Sequence, residues 1–140
     1  MMADPMHVDV VAANRLVWEG DGVNVIVRTT EGDIGILPGH EPVLAALVPC
    51  VATIVTPDGK QEVFALDGGF VLVADNRVSL LAQYATRSAE VSLEEAQRNV
   101  AELEKIIDTG DATTDQVHRL HLAQAQVKAA QVTAGSVYGH

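Results

Sequence analysis

His40 is the residue around which titratable chemistry could gather, with Glu31, Asp33 and Glu41 close to it in the chain. A histidine flanked by carboxylates is raw material for general acid–base catalysis. That use needs shifted pKa values, and carboxylates on an exposed loop stay hydrated, so large shifts are not expected. An acidic loop that docks on a partner's polar or basic loop fits these residues better. His118 and His121 lie three apart and share a helix face, but zinc wants a third and a fourth ligand, and the remaining histidines are His7, His40 and the terminal His140. They read as surface histidines. Cys50, between Pro49 and Val51, reads as a small buried apolar residue rather than a nucleophile. There is no Walker A pattern, no dinucleotide-binding glycine fingerprint after a strand and no G-x-S-x-G elbow. No cofactor and no metal are therefore expected.

The acidic cluster sits on EGDIGILPGHEPVLAAL, Glu31 to Leu47. Gly32, Gly35 and Gly39 accept positive φ, while Pro38 and Pro42 fix their own φ and extend the residues before them. Pro38-Gly39 suits the two central positions of a type II turn. The stretch predicts a long, stiff, shaped loop in which only Ile34–Leu37 pairs as a strand. Such loops on rigid scaffolds carry partner contacts, although a tight corner of a β-sandwich has the same composition.

The 140 residues allow one ordinary domain, or a compact domain with an appendage. Apolar residues are 48% and aromatics 4%, so Val, Leu, Ile and Ala must build the core. The formal net charge of −10, spread along the chain, argues against nucleic acid and against adsorption to anionic lipid. One cysteine rules out a disulfide within the chain. The start, MMADPMH, is expected to fray and has no signal-peptide pattern, and no apolar run approaches membrane-spanning length. Membrane association is expected only through a partner.

The elements that must position these residues are strands first, helices after. Up to about Thr86, turn residues recur at Gly20-Asp21-Gly22, Glu31-Gly32-Asp33, Pro38-Gly39, Pro57-Asp58-Gly59, Asp67-Gly68-Gly69 and Asp75-Asn76. The runs between them (His7–Ala13, Val23–Thr29, Val51–Thr56, Glu62–Leu66, Phe70–Ala74, Val78–Gln83) predict an all-β sandwich or barrel. Phe70–Ala74 is apolar on both faces, and Leu81 falls on the face of Ser79. A strand with a wet outer face alternates cleanly. Either the C-terminal segment or another protein covers that face, or the strand lies at the edge of a larger sheet.

From about Arg87 the character changes. Ser92-Leu93-Glu94-Glu95 is a capping box, and Leu93, Ala96, Val100, Leu103 and Ile107 form one helical stripe. Asp108-Thr109-Gly110-Asp111 ends that helix, and Thr113-x-x-Gln116 opens another, in which Val117, Leu120, Gln124, Val127 and Gln131 share a face beside Ala123, Ala130 and Ala134. The pair predicts an antiparallel hairpin with a thin, alanine-rich interface, leaning on the sandwich or on a partner. The first helix is acidic. The second, with Arg119, Lys128, His118 and His121, offers either a solvated face or a weakly basic one for an acidic partner.

Gly-x-x-Gly-x-Leu-Pro-Gly-His-x-Pro, Gly32 to Pro42, resembles the signature of the epsilon subunit of F-type ATP synthases. His7-Val8-Asp9-Val10-Val11-Ala12 looks like that family's first strand. Asp67-Gly68-Gly69-Phe70 followed by Val78-Ser79-Leu80-Leu81-Ala82 is similar to its second hallmark, with Asp67 in place of the usual serine. The resemblance implies a ten-stranded β-sandwich (1–87) that docks on gamma and the c-ring, followed by a regulatory two-helix hairpin (88–140). It implies a non-catalytic central-stalk rotor subunit, peripheral on the cytoplasmic face of the plasma membrane, whose loop at Glu31, Gly32, Asp33, Gly35, Pro38, Gly39 and His40 faces the c-ring. The hairpin would extend along gamma to the alpha/beta head and block ATP hydrolysis, with Arg119 and Lys128 on its second arm. Some family members bind ATP through I/L-D-x-x-R-A, which reads here as Leu93-Glu94-Glu95-Ala96-Gln97-Arg98. Gln97 stands where the guanidinium belongs and Arg98 lies about 100° further round the helix, so weak or no ATP binding is expected. A stand-alone adaptor or a cupin-like ligand-binding sandwich is the alternative.

Overall fold

The computed structural model describes residues 4–13, 15–88 and 92–135, without the side chains of 132–135. His140, most of the frayed start expected at Met1 to Pro5, the side chain of Ala134 and the join at 89–91 lie outside the described residues.

Ten strands precede two helices: β1 Met6–Ala12, β2 Arg15–Gly22, β3 Asn24–Thr29, β4 Gly32–Ile36, β5 Val43–Leu47, β6 Cys50–Val55, β7 Gln61–Leu66, β8 Gly69–Ala74, β9 Arg77–Ala82, β10 Ala85–Arg87, α1 Leu93–Asp108 and α2 Thr114–Gly135. The strands run in the order β10-β7-β6-β3-β5-β8-β9-β1-β2, with β4 beside β3. Only Thr29 opposite Leu47 joins β3 to β5. The path folds over there, giving two layers that face each other. One layer supplies Met6, Val8, Val10, Val71, Val73, Val78 and Leu80, and the other Val25, Val27, Ile36, Ile54, Phe64 and Leu66, all buried in one cluster. Trp18 of β2 bridges the layers, its ring 5.9 Å from Phe64 of β7. Every strand read from the sequence is present, and the aliphatic core is the one its composition requires.

Three stretches differ from the sequence reading. Gly20-Asp21-Gly22 is not a turn but the end of β2, opposite Val8, His7 and Met6. Gly22 is there for close packing: a Cβ on it would sit 2.9 Å from Val8 Cγ2. Within the expected loop of Glu31 to Leu47, Val43–Leu47 is a strand paired along its length with β8. Pairing at the other end starts at Gly32, so the irregular part shrinks to Leu37–Pro42. β10, unread in the sequence, pairs with β7.

Asp75 and Asn76 take φ of 52° and 61° and close the β8–β9 hairpin, as their residue types allow. Ser92 Oγ accepts the Glu95 N–H, and Thr113 and Gln116 cap each other reciprocally at 2.9 and 3.1 Å. The hairpin lies against the sandwich through α2, over β7 and β6. Its sheet-facing stripe is Leu122, Ala125 and Ala129 against Val63, Ala65 and Val51. Of the face expected to be apolar, Gln124 and Val127 instead line a groove with Gln97 and Val100 of α1. β7 is thus buried on both sides, with Phe64 and Leu66 inward and Val63 and Ala65 under the helix.

Gly69 tests how closely β8 and β9 approach. It has φ +109°, and a Cβ would fall 1.9 Å from the Leu81 carbonyl oxygen. Gly69→Ala should destabilise the chain by more than about 3 kcal/mol in denaturant unfolding. Gly39 has φ +83°, and a Cβ there would meet nothing within 4 Å. Gly39→Ala should therefore cost only about 1–2 kcal/mol in the same measurement. Ala129→Glu would press an unpaired carboxylate onto Val63 and Ala65; the hairpin should leave the sandwich, seen as faster hydrogen exchange throughout α2 with β-sandwich amides unchanged.

Candidate functional site

The residues gathered around His40 in sequence are strung out along an edge. β4 pairs only with β3, so its far side is open. At one end, Thr30 and Glu31 turn β3 into β4, and Thr29 Oγ1 donates to the Gly32 carbonyl while accepting the Glu31 N–H. Asp33 accepts from Arg28 Nε at 2.8 Å, and this guanidinium holds the Asp33 carboxyl below the usual carboxylate range. At the other end, the His40 N–H donates to the Leu37 carbonyl across Pro38-Gly39, as the expected type II turn requires. His40 Nδ1–H donates to the Glu41 carbonyl at 2.6 Å. Glu31 and His40 are therefore separated by the length of β4, and no acid–base cluster forms.

The Asn76 side chain ties the Leu37–Pro42 end of this edge to distant parts of the chain. Asn76 Oδ1 accepts the Gly39 N–H at 3.0 Å, and Asn76 Nδ2 donates to the Asp4 and Pro5 carbonyls. The Leu37–Pro42 segment, the β8–β9 turn and the chain start are held together by one carboxamide. Periodicity cannot signal such a contact, because its partners lie 37 and more than 70 positions apart.

Most of the large exposed hydrophobics among the described residues lie elsewhere. On the outer face of the β5-β8-β9-β1-β2 layer, the pairing aligns Ala46, Phe70, Leu81, Val11 and Leu16 in one row. Beside it run Leu44, Leu72, Ser79, Asp9 and Glu19. Leu16, Leu44, Phe70, Leu72 and Leu81 are 38–67% exposed. Patches of this kind mark binding surfaces. The sequence left open whether the C-terminal segment, another protein or an edge position explains these residues. β8 lies between β5 and β9, so it is not an edge, and the hairpin covers the opposite layer.

The hairpin residues divide by contact. Leu93 is half-buried, while Glu94, Gln97 and Arg98 are exposed on α1. On α2, Arg119 pairs with Asp115 at 2.9 Å, and Lys128 lines a small cleft with Arg28, Asp33 and Cys50. Tyr84 O–H donates to Asp115 at 2.6 Å, which pushes the phenol pKa up. Gln126 donates to Thr86 at 2.9 Å. His118 is not a free surface histidine: its Nδ1 lies 3.1 Å from Asp67 Oδ2. Its spacing to Leu122, Ala125 and Ala129 places it on the sheet-facing stripe, a signal masked in the sequence by the stronger Val117–Val127 pattern. Cys50 is buried as expected, and burial pushes its thiol pKa up. Among the described residues no three His, Cys, Asp or Glu side chains converge as metal ligands.

Residues 5–88 match the family model described as ATP synthase, Delta/Epsilon chain, beta-sandwich domain. The ATP synthase epsilon chain of Cutibacterium acnes is 54% identical over 91% of this chain and 93% of its own length. That of Streptomyces avermitilis is 46% identical over 81% of this chain and 90% of its own. Among solved structures, a chain of the Euglena gracilis mitochondrial ATP synthase (OSCP/F1/c-ring) superposes with a TM-score of 0.71 at 18% identity, covering 96% of this chain and 84% of that one. A chain of the Tetrahymena thermophila mitochondrial ATP synthase central stalk and c-ring gives 0.55 at 16% identity, covering 95% and 98%. At those identities the superpositions speak for the fold; together with the sequence relatives they leave one conclusion, that the chain belongs to the ATP synthase epsilon chain family, the non-catalytic rotor subunits of F-type ATP synthases.

Proposed function

We propose that this chain docks on the gamma subunit through the outer face of the β5-β8-β9-β1-β2 layer and on the c-ring through the β4 edge. In this way it couples the rotation of the ring to the catalytic head. The observation that carries the proposal is the five-strand apolar row from Ala46 to Leu16, which the chain's own helices leave uncovered. Folded proteins rarely leave such a row to water, and gamma is the neighbour this reading puts on it. Glu31, Gly32, Asp33, Gly35, Pro38, Gly39 and His40 form the ring-facing strip, from the β3–β4 turn to the proline-glycine corner. The working parts are the sandwich, 1–87, and the hairpin, 88–140.

The hairpin is the regulatory arm, and its attachment explains how it moves. Ala125 and Ala129 each bury little more than a methyl, worth about 0.8 kcal/mol per carbon, so area holds the arm only weakly. Three side-chain hydrogen bonds, Asp115–Tyr84, His118–Asp67 and Gln126–Thr86, supplement it. Such an arm can exchange between a docked state and one extended toward the alpha/beta head. The docked state, seen here, is permissive; the extended one inhibits hydrolysis. Among the described residues no helix is long and apolar enough to cross a membrane, which agrees with a peripheral position reached through partners, at the cytoplasmic face of the plasma membrane.

Leu72→Asp should weaken binding to purified gamma about 30-fold or more with the fold intact by circular dichroism, whereas Asp58→Lys, on the distant β6–β7 turn, should not. Truncation after Ser88 should leave assembly of the complex intact and raise its ATP hydrolysis; unchanged hydrolysis would remove the inhibitory role. Calorimetric titration of the isolated chain with ATP should show no binding tighter than about 1 mM, for want of a guanidinium at Gln97.

A further inference from the structure

The Asp67 carboxylate is nearly inaccessible, with 2% of its side chain exposed. A buried carboxylate must be paired, because an isolated one is strongly penalised. Asp67 Oδ1 accepts the Tyr84 N–H at 3.0 Å. Oδ2 faces the His118 ring at 3.1 Å. The Tyr84 contact belongs to the sandwich and stays whatever the hairpin does. The His118 contact comes from α2, and its side chain is 45% exposed. When the hairpin leaves, it takes the imidazole with it and Oδ2 loses that contact.

Asp67 is also among the residues that line a cleft of about 580 Å³, together with Val11, Gly69, Phe70, Leu81, Gln83 and His118. Val11, Phe70 and Leu81 are also members of the apolar row proposed as the gamma-docking face. A partner seated on that row meets the cleft at these three side chains. Val11, Phe70 and Leu81 line it beside Asp67, so the complementary group is a cation on an aliphatic stem. Arginine and lysine have that shape, and either gives a carboxylate a charge-assisted hydrogen bond.

We propose that Asp67 is a shared counter-ion for which His118 of the hairpin and a lysine or arginine side chain of the docked central-stalk partner compete. The inference rests on the docking reading above and adds the chemistry of one partner residue and its effect. A cation entering the cleft displaces His118 and frees the start of α2. A docked hairpin, conversely, weakens the partner's grip. By linkage each weakens the other by the same factor.

The test is binding of the full chain to purified gamma, with variants of opposite sign. His118→Ala removes the competitor and should tighten binding about three- to tenfold. Asp67→Asn removes the charge while leaving an oxygen for Tyr84, and should weaken it about tenfold or more. In the wild-type chain, saturation with gamma should speed hydrogen exchange in the first turns of α2. Affinity unchanged or weakened by His118→Ala, or α2 protection raised by gamma, overturns the competition; both measurements stand even if Asp67→Asn fails to fold. A wild-type chain that does not bind gamma overturns the docking reading itself, an outcome these variants cannot imitate.

Discussion

A sheet folded over on itself has two outer faces, and this chain owns enough helix to cover one. That imbalance governs the rest of the structure. The layer carrying β6 and β7 is closed by α2, which turns β7 into a strand buried on both sides. The other layer keeps Leu16, Leu44, Phe70, Leu72 and Leu81 in contact with water. The covered face is lined with small residues and the open one with large ones. Contact with the helix therefore removes less apolar area than docking a partner on the open face can. On the docking proposed above, the tighter association falls to a neighbour and the looser one stays within the chain.

The architecture was legible wherever local chemistry decides it. Asp75-Asn76 and Pro57-Asp58-Gly59 close hairpins, and Ser92 and Thr113 cap helices, because each residue type satisfies backbone groups within a few positions. Where tertiary packing decides, the reading failed. Gly20 and Gly22 look like turn formers but lie in β2, where Gly22 makes room for Val8 and Ile54. Val43–Leu47 follows a proline and contains two alanines, yet partnership with β8 makes it a strand.

The site divides in the same way. The exposed apolar face could be inferred from the failed alternation of Phe70–Ala74, but not the fact that the helices lie on the opposite layer. Glu31, Asp33 and His40 were grouped by proximity in sequence, and the strand between them sets them apart. His118 and Asp67 were noticed separately, as a surface histidine and as a departure from a familiar serine. Their meeting across 51 positions is a product of the fold alone. Long-range polar contacts leave no periodic trace, and this molecule uses them at both of the places where its parts are joined.

One of those joints bears on mechanics. The Asn76 carboxamide ties the Pro38-Gly39 corner to the strand layer and to the start of the chain through hydrogen bonds on both its oxygen and its nitrogen. A shaft driven from its foot wastes as elastic twist whatever its coupling absorbs before the load moves. Cross-bracing at the corner shortens the lever on which that loss depends, so the compliance of the coupling falls on the strand ladders behind it. On the c-ring docking proposed above, torque entering at this corner would reach the sandwich with little lag.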